Sequence, residues 1–165
     1  MTTTIFAALL GGGIVLALAA PAHPQALQTH RIPAALALEA VGEAVAACSR
    51  QGYSETAVLV DADGVRQAVL RGDGAGAHTL DSANDKAYTA ASFKNDTAAL
   101  VERAKTAPIA PLLAKLPHLL LFGGGVVINI GDEVVGAIGA AGAPGGDLDD
   151  HCARAGLDKI KDRLR

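Results

Sequence analysis

The residues with the clearest chemical potential are a glycine-rich segment and the histidine that follows it. Three glycines within residues 72–76 come just before His78, and glycine lets a ligand approach closely because it has no Cβ. Thr79 or Asp81 can cap a helix that begins here. The positive end of a helix dipole disfavours imidazolium, and neutral imidazole is the form that coordinates metal ions and heme iron. His78 is therefore the best single candidate for a site residue, with contact to a ligand and a capping or loop hydrogen bond as its two possible roles.

Two cations and one aromatic residue surround this segment in the sequence. Arg71 and Lys86 are the nearest cations to His78, and both can meet the carboxylates of an anionic ligand. Tyr88 falls off the apolar stripe of the predicted helix, so it reaches a groove wall or an interface. These three residues join His78 in the predicted site.

The N-terminus has the pattern of an export signal. Residues 5–20 are apolar and are followed by Pro21-Ala22, which fits the apolar region and the small-residue cleavage site of a signal peptide. We expect residues 1–22 to be removed, residues 23–31 to be a flexible segment, and the mature protein to be periplasmic or secreted. An uncleaved anchor or an apolar N-terminal helix is the alternative. No span of the mature chain is long enough to cross a bilayer.

Composition narrows the class of protein. The chain has 165 residues, a formal net charge of −3 and only 3% aromatic residues. Without a basic patch or interleaved aromatic residues, a nucleic-acid partner is not expected. Residues 32–165 suit a single domain. Its core must consist of Ala, Val, Leu and Ile side chains around closely packed backbone.

The chain contains two cysteines, for which the sequence leaves two interpretations. Cys48 falls on the apolar stripe of the first predicted helix, which favours a buried free thiol. A Cys48–Cys152 disulfide is the alternative, since an exported protein meets an oxidising compartment.

Hydrophobic periodicity and turn residues define the predicted elements. Asp63-Gly64 and Gly131-Asp132 are turn signals between β-rich runs, which predicts two hairpins. Strands joined by tight turns are antiparallel. The expected fold is therefore α+β, a three-layer α-β-α sandwich of the profilin-like class with a roughly five-stranded antiparallel sheet. We predict helices over 32–50, 80–93, 97–104 and 147–164, the last capped by Asp147, and strands over 56–61, 65–70, 118–122, 126–130 and 133–139.

Six short motifs occur in the order that resembles the GlcG/HbpS-like heme-binding family. They are Val-Asp-Ala-Asp-Gly at 60–64, Gly-Asp-Gly-Ala-Gly at 72–76, Lys-Ala-Tyr-Thr-Ala at 86–90, Leu-Phe-Gly-Gly-Gly at 121–125, Val-Gly-Ala-Ile-Gly at 135–139, and Gly-Gly-Asp at 145–147 with Cys152-Ala153 after it. The resemblance spans residues 32–160.

The resemblance implies a profilin-like sandwich that forms homo-oligomers and binds heme or a related tetrapyrrole, with roles in heme handling or in redox sensing with a sensor protein. Two alternatives are an oligomeric interaction module without a cofactor and a heme-degrading enzyme. Applied to this chain, it implies that His78 is the axial ligand and that Arg71 and Lys86 meet the propionates. Thr97 lies where some relatives carry a threonine near their heme site.

Overall fold

The computed structural model describes residues 28–165. The predicted signal peptide, residues 1–22, and the first part of the segment 23–31 lie outside the described residues. The described residues form five helices and four strands, and a short 3-10 turn follows the last helix. The helices are α1 (Ala34–Arg50), α2 (Thr79–Phe93), α3 (Thr97–Ala104), α4 (Ala110–Leu113) and α5 (Gly146–Ile160). The strands are β1 (Thr56–Asp61), β2 (Arg66–Arg71), β3 (Gly125–Ile130) and β4 (Glu133–Ala141).

The four strands form one antiparallel sheet in the order β2-β1-β4-β3. Both predicted hairpins are present, and β1 joins them by pairing with β4, Thr56 opposite Ala141 and Asp61 opposite Gly136. The α+β class with an antiparallel sheet is confirmed, but over residues 28–165 the sheet has four strands where roughly five were expected.

Residues 118–122, predicted as a strand, do not form one. His118 has a φ of +63°, which places the start of the segment in a turn rather than in extended backbone. The N–H of Leu120 then donates to Thr89 Oγ1 on α2 (2.8 Å), and that of Phe122 donates to the carbonyl of Leu120 (2.9 Å). These contacts use the backbone groups that a fifth strand would offer to the sheet.

Helices cover the sheet on both faces. Helices α1 and α5 pack together on one face, and α2 lies across β1 and β4 on the other. Small residues permit this close packing: a Cβ added to Gly139 on β4 would lie 2.1 Å from the carbonyl oxygen of Ala83 on α2. A core of alanine, valine, leucine and isoleucine therefore suffices, as the composition predicts.

A disulfide between Cys48 and Cys152 connects α1 with α5. The disulfide interpretation is confirmed, and the interpretation of Cys48 as a free thiol is wrong. Both sulfurs lie in the fully buried core between the two helices. Helix α5 begins at Gly146 with Gly145 as its N-cap, rather than with Asp147. None of the helices formed by residues 28–165 is long and apolar enough to span a membrane.

Candidate functional site

The predicted site begins on the loop that connects β2 with α2, and hydrogen bonds hold this loop in place. Arg71 ends β2, and its Nε donates to the carbonyl oxygen of Ala75 (2.8 Å). The N–H of Gly72 donates to the carbonyl of Glu55 (2.8 Å), and Gly74 has a φ of +78°, which favours glycine. Arg71 therefore clamps the loop as well as adding a positive charge to it.

His78 lies at the N-terminus of α2 with its side chain exposed. Its ring packs on Gly76, where an added Cβ would lie 2.6 Å from the ring carbon Cε1. The side chain makes no capping hydrogen bond. Within residues 28–165 no hydrogen-bond partner engages the ring nitrogens, so both remain open to a ligand. Arg71 and His78 thus lie on the same loop, Arg71 on Ala75 and His78 on Gly76.

The sheet beside this loop presents an uncovered apolar and basic face. Strand β2 is an edge strand, and its register puts Val69 opposite Val58 and Arg71 opposite Thr56. Paired residues share a face, and Thr56 Oγ1 hydrogen-bonds Thr79 Oγ1 on α2 (2.6 Å). Val69 and Arg71 therefore point to the α2 side of the sheet, where Val69 remains 43% exposed.

Lys86 lies elsewhere, in the protein interior. It is 2% exposed, and its Nζ donates to Asp149 Oδ2 (2.5 Å) and to the carbonyl of Ala140 (2.9 Å). The ring of Phe122 covers it, with 5.0 Å from Nζ to the centroid. The structure thus gives Lys86 a carboxylate partner inside the protein, whereas the resemblance implies a propionate at the surface.

Glu55 completes what we call the buried ion cluster, Glu55, Lys86 and Asp149. It is 1% exposed, and in the described part of the chain neither of its carboxyl oxygens has a hydrogen-bond donor. Its carboxyl lies against the Gly142–Ala143 turn, whose Ala143 N–H donates to Asp149 Oδ1 (3.0 Å). Burial, and next the charge of Asp149, raise the pKa of Glu55 to about 8. Glu55 is therefore protonated at neutral pH.

Sequence reasoning did not identify this cluster, although a pattern for part of it was available. Lys86 lies three residues after Ala83 and one before Ala87, both fully buried on α2, so the 3.6-residue period places it on the inner face. The contact with Asp149 links α2 to α5 across the sheet end, and no local pattern predicts that contact.

Glu55 makes stability depend on pH in a defined direction. Its ordinary pKa of 4.5 rises to about 8 in the folded protein, so the folded state holds a proton that the unfolded state releases. The resulting stabilisation is complete below 4.5 and is lost as pH rises through 8. We expect the free energy of unfolding to fall between these values in urea titrations. Glu55→Gln should flatten that part of the profile; an unchanged slope would contradict the assignment.

Tyr88 and Thr97 lie apart from His78. The Tyr88 ring covers Gly64, where an added Cβ would lie 2.7 Å from Cδ2, and its centroid is 6.2 Å from the ring of His118. Thr97 is fully buried; its Oγ1 accepts from the N–H of Gly125 (2.8 Å) and donates to that residue's carbonyl (3.3 Å). The structure therefore brings His78 and Arg71 together. The other three predicted residues, Lys86, Tyr88 and Thr97, lie away from them.

Within the described residues, the His118 side chain, unlike that of His78, has a hydrogen-bond partner, Asp85. Its Nδ1 lies 3.3 Å from Asp85 Oδ1, and its ring is largely exposed. An imidazole held through one nitrogen by a carboxylate leaves the other free to bind a metal. His118 is thus the natural comparison for His78 in any ligand test.

The sequence and the fold match known proteins. Residues 32–158 match the family model described as "Haem degrading protein HbpS-like". A crystal structure of a double mutant of HbpS from Streptomyces reticuli is 37% identical, covers 85% of this chain and 96% of that chain, and gives a TM-score of 0.75. A second HbpS structure is 36% identical over 85% of this chain and 97% of that one, with a TM-score of 0.77.

A more distant match shows the fold alone. The structure of the PduOC:heme complex is 23% identical, covers 74% of this chain and 89% of that chain, and gives a TM-score of 0.69. No functionally curated protein matches the sequence significantly.

Proposed function

The chain belongs to the HbpS-like family, and from that premise we propose that it binds heme or a related tetrapyrrole. The observation that carries the proposal is the family match over residues 32–158, almost all of the described domain. The heme complex of PduOC, which shares the fold, supports the same ligand class. The role that we propose is heme handling or, more specifically, redox sensing together with a sensor protein.

We place the heme on the surface formed by the loop 72–76, His78 and the open side of β2. An exposed imidazole with both ring nitrogens free within the described chain fits axial ligation of iron. Arg71 lies on the same loop and can meet a propionate through the N–H groups that Ala75 leaves free. Val69 and Leu80, 43% and 36% exposed, supply apolar contact for the ring.

Thr97 and Lys86 fit a structural role better than direct contact with heme. The Thr97 hydroxyl is used in two bonds to Gly125, and the Lys86 ammonium is paired with Asp149. Either residue would have to give up buried polar contacts to reach a ligand at the surface, which is costly. Tyr88 is half-buried against Gly64. Its ring can form the wall of a groove but supplies no charge to a ligand.

The ligand assignment predicts a specific loss. We expect the full chain to give a saturable shift of the Soret band on titration with hemin, and His78→Ala to weaken binding about tenfold or more, because the axial bond is removed. His118→Ala is the matched control, since it removes another exposed histidine, and it should titrate like the parent.

Two other results would change the account. Loss of binding in His118→Ala with normal binding in His78→Ala would move the site to the Asp85–His118 pair. Bleaching of the Soret band with a reductant and oxygen, with release of a bilin, would favour the heme-degrading enzyme.

We also propose that the protein is exported to the periplasm or secreted. The Cys48–Cys152 disulfide supports this, because such bonds persist in oxidising compartments. Fractionation of cells expressing the full chain tests it: an intact, unprocessed chain found only with the reducing cytosol would contradict it.

A second candidate function is an oligomeric interaction module, and the exposed apolar residues after α3 favour it. Ile109, Leu112 and Leu116 are each more than half exposed, and contiguous exposed apolar surface marks an interaction site. We propose that a homo-oligomer covers them. Light scattering of the full chain and of Leu112→Asp tests this: a monomeric parent would contradict it.

A further inference from the structure

The buried ion cluster contains the groups needed for a covalent reaction. Lys86 Nζ lies 2.5 Å from Asp149 Oδ2, and both side chains are 3% exposed. This contact keeps the amine close to the carboxyl group of Asp149, and such proximity lowers the entropic part of the barrier to bond formation.

The backbone around the pair is shaped to hold the two groups together. Gly124 has a φ of +113°, and a Cβ added there would lie 2.7 Å from the Asp149 Cβ and 3.0 Å from Lys86 Nζ. The carbonyl of Ala140 and the N–H of Ala143 fix Nζ and Oδ1 from the other side. Neither group can move far away from the other without losing a buried hydrogen bond.

Glu55 is the third component, because a buried acid beside the pair can carry protons between them. Its carboxyl lies against the same Gly142–Ala143 turn that binds Asp149, and no hydrogen-bond donor in the described chain engages it. Burying an isolated carboxyl group destabilises the fold, and no other contact in the described chain explains why Glu55 is buried.

We propose that Lys86 and Asp149 join in an intramolecular isopeptide bond, with Glu55 as the proton relay. The ammonium of Lys86 first passes a proton to the Asp149 carboxylate, which gives a neutral amine and a neutral acid. Nζ then attacks Cγ of Asp149 and forms the C–N bond, while protonated Glu55 gives its proton to the departing hydroxyl and takes one from nitrogen through its other carboxyl oxygen. The C–O bond breaks, one water molecule leaves, and no oxidant or reductant is needed.

Burial favours this product. An ion pair in the interior pays a desolvation cost that its mutual attraction only partly offsets, and an amide replaces two charges with one neutral dipole. Phe122 lies over Nζ and limits the access of bulk water to the pair. The reaction thus removes buried charge from a place where water can return only with difficulty.

Mass spectrometry of the full chain, unfolded and reduced, tests the proposal. The expected mass is lower than that of the sequence, after any N-terminal processing, by one water molecule. After trypsin, peptides 72–94 and 116–154 should be found joined, because modified Lys86 is no longer cleaved. This product also separates the bond from succinimide formation at Asp63-Gly64 or Asp73-Gly74, which loses water without linking peptides.

Variants assign the roles. Asp149→Ala should lose the linked peptide completely, and Glu55→Gln should lose it while keeping the Lys86–Asp149 contact. Asp150→Ala, one residue along α5, should keep it. An unmodified mass with a free peptide 72–86 from the wild-type protein would overturn the proposal, and undiminished linkage in Glu55→Gln would overturn the role of Glu55.

Discussion

Replacing Lys86 with methionine is expected to cost about 3–5 kcal/mol of the free energy of unfolding relative to protein whose Lys86–Asp149 pair is not joined, as for removal of one partner of a buried ion pair. Relative to protein that carries the isopeptide bond the cost is larger, because the cross-link is lost as well. Methionine retains most of the side-chain volume, so the loss reports on charge. Asp149 and Glu55 would remain as two buried carboxyl groups without a cation. Urea unfolding followed by circular dichroism measures the loss.

Lys105→Met is the matched control, because that lysine forms an exposed pair with Glu102, and such pairs contribute little. The double variant Lys86→Met with Asp149→Asn should regain much of the stability, since the amide can still accept from Ala143 while the negative charge is gone. Equal losses in Lys86→Met and Lys105→Met would contradict the account of the buried ion cluster.

Replacing both cysteines with alanine is expected to cost about 4–5 kcal/mol, the chain-entropy estimate for a loop of roughly 100 residues. Cys48 and Cys152 are 104 residues apart in the sequence, so the bond restricts most of the unfolded domain. The expected result is a lower urea midpoint with a steeper slope, because the unfolded chain without the bond is less compact and exposes more surface. Reduction of the wild-type protein under unfolding conditions should reproduce it.

An unchanged midpoint in the cysteine variant would show that α1 and α5 hold together without the bond. These helices share a large buried contact, so the variant should still fold at moderate temperature. Comparison of reduced and oxidised protein therefore separates the contribution of the bond from that of the packing.

Much of the fold could be predicted from local patterns. The hairpins follow from Asp63-Gly64 and Gly131-Asp132, and α1 follows from its apolar stripe, because turn chemistry and periodicity act within a few residues. The apolar run at residues 118–122 has the composition of a strand. It forms none, because Thr89 on α2 binds the N–H of Leu120, a contact that only the tertiary structure provides.

The candidate site was predictable in part for the same reason. His78 and Arg71 lie on one short loop, so the sequence brings them together. Lys86 is separated from Asp149 by 63 residues, and Cys48 from Cys152 by 104. Spacing alone could not decide either partnership, since both depend on how α1, α2 and α5 pack against the sheet.

The most direct test of the central claim is to map the heme surface by NMR. Gallium protoporphyrin IX, a diamagnetic stand-in for ferric heme, is titrated into the isotope-labelled full chain. We predict saturable shifts that are largest in residues 69–80, around His78 and the open side of β2. Saturable shifts centred on residues 97–104 and 122–125, or no saturable shifts from a folded protein, would contradict the claim.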